Sequence, residues 1–164
     1  MNAPFPPKKV LIPLDFSDDS QRALRYGLAL AAATQAQVAL LTVIEDSFPY
    51  PELFAWDHPD EEFYKSMRER ALNHMGEVLQ SAAAPASGVE KLVVRGRPRH
   101  EIVTVAADIG ADLIVLARHG SSGIRHAFMG STAESVLRHA SCPVLVLPPS
   151  AAHQGGTQAS PQEP

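Results

Sequence analysis

The chain's 164 residues are 45% hydrophobic, enough to bury one core, and its 14 Lys and Arg stand against 18 Asp and Glu for a formal charge of -4. That balance lacks the basic cluster needed to follow a phosphodiester backbone, so nucleic acid is not an expected partner. No stretch reaches the roughly 18 to 20 apolar residues of a membrane span, the lone Cys142 has no partner for an internal disulfide, and the opening MNAPFPPKK lacks the apolar centre of a signal peptide. Together these features predict a cytoplasmic protein with no membrane insertion.

Residues 1–7 hold three prolines and little apolar pattern, and read as a flexible arm. Val10-Leu11-Ile12-Pro13-Leu14 is a first apolar strand ending at Asp15. Asp18 and Gln21 have the spacing of an N-cap and its N3 partner, and the helix they open puts Leu24, Leu28 and Ala31 on one face. Residues 38–44 form a second strand, followed by an aromatic- and proline-rich excursion over residues 45–60. A long helix is predicted from near Pro59 to about Ala83, with Met67, Ala71, Met75, Val78 and Ala82 at helical spacing, and Ala84-Pro85 ends it. Residues 89–94 are a weaker strand, and Glu90 and Lys91 inside it mark a sheet edge. Residues 96–98 open another helix with Ile102, Val105, Ala106 and Ile109 as its buried stripe and Gly110 as its stop.

The last third carries the functional signal. The apolar run Leu113–Ala117 leads into a glycine-containing loop, a helix opening on Gly130-Ser131-Thr132, and a final apolar strand, Val144–Leu147. Gly120 and Gly130 allow backbone conformations or close approaches denied to other residues. Free N–H groups at the start of the following helix favour an anion such as phosphate. Beyond Leu147 the apolar pattern stops, and residues 149–164 read as a disordered tail. Strands alternating with helices describe an α/β fold with an open parallel five-stranded sheet and helices on both faces.

Ala117-x-x-Gly120, nine residues, then Gly130-Ser131, a helix, and Cys142-Pro143-Val144-Leu145-Val146 together resemble the universal stress protein family. In its ATP-binding members the pattern reads Gly-x-x-Gly, nine residues, Gly-Ser/Thr, so Ala117 replaces the first glycine. The resemblance spans one domain, residues 8–148. It implies a Rossmann-like fold of the adenine nucleotide alpha-hydrolase type with strand order 3-2-1-4-5. In that order the winding reverses between strands one and four, and a crevice opens beside Asp15 and Ala117. The resemblance further implies that ATP or another adenine nucleotide lies there. Pro13, Asp15 and Val43 would meet the adenosine, Leu116, Ala117 and Gly120 the ribose and first phosphates, and Gly130, Ser131 and Thr132 the remaining phosphates. Any Mg²⁺ would be carried by those phosphates. The family also implies a homodimer through the last strand, at Val144 and Val146, and a regulated protein partner that the sequence does not name.

Plainer roles exist for several of these residues. Asp15 can cap a turn, and Ser131-x-x-Glu134 has the form of a capping box. Arg118 and Arg125 are within or beside the loop as secondary phosphate candidates. His119, His126 and His139 lack metal-ligand spacing, so no protein metal site is expected. Cys142 reads as a small buried hydrophobe, and no Walker lysine, nucleophile elbow or water-activating base identifies catalysis. Three readings remain: a nucleotide-responsive dimeric binding module, a slow ATPase or adenylyl- or phosphoryl-transfer enzyme, and a stress protein without nucleotide that acts through its dimer surface.

Overall fold

The computed structural model describes residues 5–45, 61–82, 88–120 and 129–149. Among the described residues nine elements follow one another: β1 (Lys9–Pro13), α1 (Asp18–Thr34), β2 (Gln37–Ile44), α2 (Glu61–Ser81), β3 (Val89–Arg95), α3 (Pro98–Asp108), β4 (Leu113–Ala117), α4 (Ser131–His139) and β5 (Val144–Leu147). The strands form one parallel sheet in the order β3-β2-β1-β4-β5, as expected, with the polar β3 at one edge and β5 at the other.

Side-chain alternation along the buried strands supplies a core on each face. Val10, Ile12 and Leu14 of the first strand and its extension pack with Leu24 of α1 and Met75 and Leu79 of α2. Leu11 points the other way, to Leu41, Ile114, Ile102 and Ala106 of α3, and Val136 of α4. A residue such as Leu11 or Ile12, with no exposed surface, contributes about 1.5–3 kcal/mol by leaving water. Both faces are therefore covered, which is why the central strands read as unbroken apolar runs.

The ladder between β1 and β4 is short. It registers only Val10 with Leu113 and Leu11 with Ile114, whereas β1 and β2 stay in register to Pro13 and Leu41. Lys9 accepts on the β4 side, from the Asp112 N–H, and Lys8 on the β2 side, from the Gln37 N–H. Alternation then turns Pro13 toward β4, where it has no N–H to give. On the other side the Leu14 N–H still reaches the Leu41 carbonyl at 2.8 Å, and the buried Thr42 hydroxyl donates to the Leu14 carbonyl at 2.8 Å. The chain beyond β1 is thus held to β2 and released from β4.

Helix ends correct two details. Ser17, not Asp18, caps α1, accepting from the Ser20 N–H, while the Gln21 amide donates to the Phe16 carbonyl instead of completing a capping box. The second helix is described from Glu61 to Ser81, and its proposed limits at Pro59 and Ala83, like Pro85, fall outside the described residues. So do most of the 45–60 excursion, residues 1–4 of the arm and the tail from residue 150. For α3, Pro98 occupies the first turn and Gly110 takes φ +64, the left-handed stop anticipated from sequence.

Gly27 brings α1 against the sheet. A Cβ there would lie 2.5 Å from Ile12 Cδ1 and 3.1 Å from Ile12 Cγ1. Ile12 is fully buried, so Gly27→Val, which forces it to shift within the core, should destabilise the fold by about 1–3 kcal/mol, measured by urea denaturation; unchanged stability would show that α1 is not seated this closely.

Candidate functional site

Where β1 and β4 part, the C-terminal ends of the strands enclose a cleft of about 710 Å³, within the usual size range for small-molecule sites. All nine residues selected from sequence line it: Pro13 and Asp15 after β1, Val43 in β2, Leu116, Ala117 and Gly120 at the end of β4, and Gly130, Ser131 and Thr132 at the start of α4. Arg118 lines it as well, whereas Arg125 and His126 lie outside the described residues.

Asp15 is held by a local network. Its Oδ1 accepts from the Ser17 N–H at 3.1 Å and from the Ser17 hydroxyl at 2.6 Å. The turn-forming role is therefore real and runs through Oδ1. Oδ2 faces the other wall: a Cβ on Gly120 would stand 2.7 Å from it. Gly120 is needed at this point for space, since its φ lies outside the left-handed region.

Gly130 has the same reason for being glycine. Its backbone is extended, φ -63 and ψ 146, and its N–H donates to the Arg118 carbonyl at 3.0 Å, pinning the loop's two ends together. A Cβ on Gly130 would come 3.0 Å from that same carbonyl oxygen. Close approach, and not positive φ, therefore explains both glycines. Ala117 is a paired strand residue opposite Leu147 and is not among the positive-φ residues. A glycine there would have no conformational advantage that alanine lacks.

The capping-box reading of Ser131 is corrected. Gly130 is the N-cap and makes no side-chain cap hydrogen bond, so Ser131 is the first helical residue and its hydroxyl is one position too late to cap. Glu134 instead pairs with Arg138 at 2.9 Å, one turn on. The start of this nine-residue helix therefore presents backbone N–H groups toward the cleft with no side-chain cap, and its dipole favours an anion.

Sequence reasoning missed part of the wall. Phe16, Thr42 and, from α2, Met67, Arg70 and His74 also line the cleft. Met67 was assigned to the core stripe, and the i, i+3, i+7 spacing of residues 67, 70 and 74 was a second stripe obscured by two polar members. At the opposite end of the sheet, burial first and the Asp112 charge second push the Cys142 thiol upward, the wrong direction for a nucleophile. Among the described residues no group of three His, Cys, Asp or Glu is placed to hold a metal ion, and no helix is long and apolar enough to cross a membrane.

Comparisons with known proteins agree on one family. Residues 6–148 match the profile of the Universal stress protein family. Universal stress protein MJ0577 of Methanocaldococcus jannaschii is 28% identical over 152 residues, covering 85% of this chain and 94% of that protein. A solved structure of UspA from Lactobacillus plantarum superposes with a TM-score of 0.71 at 28% identity, covering 85% of this chain and 97% of that one. A universal stress protein solved in complex with cAMP gives a TM-score of 0.62 at 26% identity, covering 86% and 97% of the two chains.

Ser17 both caps α1 and restrains Asp15. Ser17→Ala should cost about 0.5–2 kcal/mol of stability in urea denaturation, and a variant as stable as wild type would show that the network contributes nothing.

Proposed function

The chain belongs to the universal stress protein family, and from that premise we propose that its cleft is an adenine-nucleotide site, with ATP the preferred ligand. The observation that carries this reading is the uncapped start of α4, with Gly130 at its head, facing Asp15 and Gly120 across one cleft. A relative's complex with cAMP supports an adenine ring as the common element.

In this reading Pro13, Asp15 and Val43 receive the adenosine, with the Asp15 carboxylate accepting from a ribose hydroxyl. Leu116, Ala117 and Gly120 border the ribose and the first phosphates. The N–H groups of Ser131 and Thr132 meet the terminal phosphates, whose charge the helix dipole stabilises. Mg²⁺ would arrive on the phosphates and retain much of its water. The extended backbone at Ala117 supports the fit, because the substitution that separates this chain from the Gly-x-x-Gly pattern removes no needed conformation.

The protein would act as a cytoplasmic binding module. Nucleotide bound beside Arg118 and Gly130, which one hydrogen bond already joins, would change the surface presented to a protein partner. A homodimer through β5 completes the proposal. This edge strand leaves Val144 and Val146 partly exposed, and Pro143 and Pro148 on either side limit pairing to a few residues.

Two measurements test these points. ATP at a hundred times its dissociation constant should stabilise the protein by about 2.7 kcal/mol, and Gly130→Val should abolish that gain while the apo fold persists; undiminished ATP affinity in the variant would show that the phosphates lie elsewhere. Light scattering at micromolar concentration should give twice the 17.6 kDa chain mass, and a monomeric mass would remove the β5 interface.

A further inference from the structure

Phe16 is the residue that the nucleotide reading leaves unexplained. It has φ +64, an uncommon conformation for a bulky side chain. The Asp15–Ser17 network on either side and the Gln21 amide on its carbonyl hold it there. The outcome of that constraint is a contact between distant parts of the chain: the Phe16 ring lies flat on the His74 imidazole of α2, centroids 4.3 Å apart and planes within 2°. Phe16 packs against the core beneath α1 and α2, while His74 is exposed, and both line the cleft. Phe16 thus covers one imidazole face of an exposed ring that lines the cleft. Among the described lining residues only His119 supplies another ring, and it lies beside Gly120 at the anion end.

We propose that the Phe16–His74 pair is a stacking platform that receives the purine ring of the nucleotide on the face of His74 opposite Phe16. This rests on the nucleotide reading above and assigns the base a specific neighbour. A flat π surface built from β1's exit and α2 puts base recognition on different elements from the N–H groups of α4 that would meet phosphate. Stacking favours the larger purine over a pyrimidine, because the overlapping area is greater. His74 is then a specificity-determining residue, and Phe16 positions it.

Calorimetric titration of the full chain with ATP, AMP, adenosine and CTP tests this, using wild type, His74→Leu and His74→Phe. Leucine keeps apolar packing on Phe16 but has no π face; phenylalanine keeps the face. The platform predicts that wild type prefers ATP to CTP and that His74→Leu loses about tenfold in affinity, by the same factor for ATP, AMP and adenosine. His74→Phe should bind all three close to wild type. Unchanged affinity in His74→Leu would overturn the proposal, as would a loss confined to ATP, which would place His74 at the phosphates. Equal losses in both variants would do so too, by showing that a ring nitrogen and not the face is used. Wild type that binds none of the four ligands would contradict the nucleotide reading itself, an outcome distinct from these.

Discussion

The parting of β1 from β4 is the constraint on which the rest of the structure depends. A parallel sheet buried on both faces has no reason to open in its middle, and this one opens where Pro13 presents a ring in place of an N–H. Connections from the two strands also leave to opposite faces: α1 follows β1 on one side, and α4 follows β4 on the other. Both effects act at the same place. The β1 extension stays with β2 through Leu14 and Thr42, and the end of β4 stays with β5 through Ala117 and Leu147. What lies between them is the cleft.

Chemistry in that cleft comes mostly from the backbone. Gly120 and Gly130 are small because something rigid is already adjacent, the Asp15 carboxylate in one case and the Arg118 carbonyl in the other. The same tightness brings the N–H groups of α4 up to the strand ends, where a phosphate can reach them. Side chains contribute at the other end, with Asp15 restrained by Ser17 and the Phe16 ring laid on His74. A site assembled this way is suited to holding a ligand by backbone groups.

Much of this was readable from the sequence, for physical reasons. Strands covered on both faces leave continuous apolar runs, so all five were found, and the charges at Glu90 and Lys91 marked β3 as an edge. The nine cleft residues were selected by spacing and resemblance, and the fold brings them to one place. Helix starts were harder. Ser17, Asp18, Asp19 and Ser20 are all competent caps in a row, so the local pattern does not single out Ser17, which is the cap that forms. At Ser131 the capping-box pattern does not form: Gly130, whose N–H is tied to Arg118, is the cap one residue earlier. The contact between Phe16 and His74 leaves no local trace, because it joins residues nearly sixty positions apart through tertiary packing.

The most direct test of the account is to denature freshly purified protein and identify any released nucleotide by chromatography and mass spectrometry, followed by an ATP titration of whatever protein emerges empty. The account predicts ATP or another adenine nucleotide approaching one per chain, or saturable binding of added ATP by the empty protein. A protein that carries no nucleotide and shows no heat or stability change with ATP would contradict it, and the partly exposed face of β5 would then be the place to look for function.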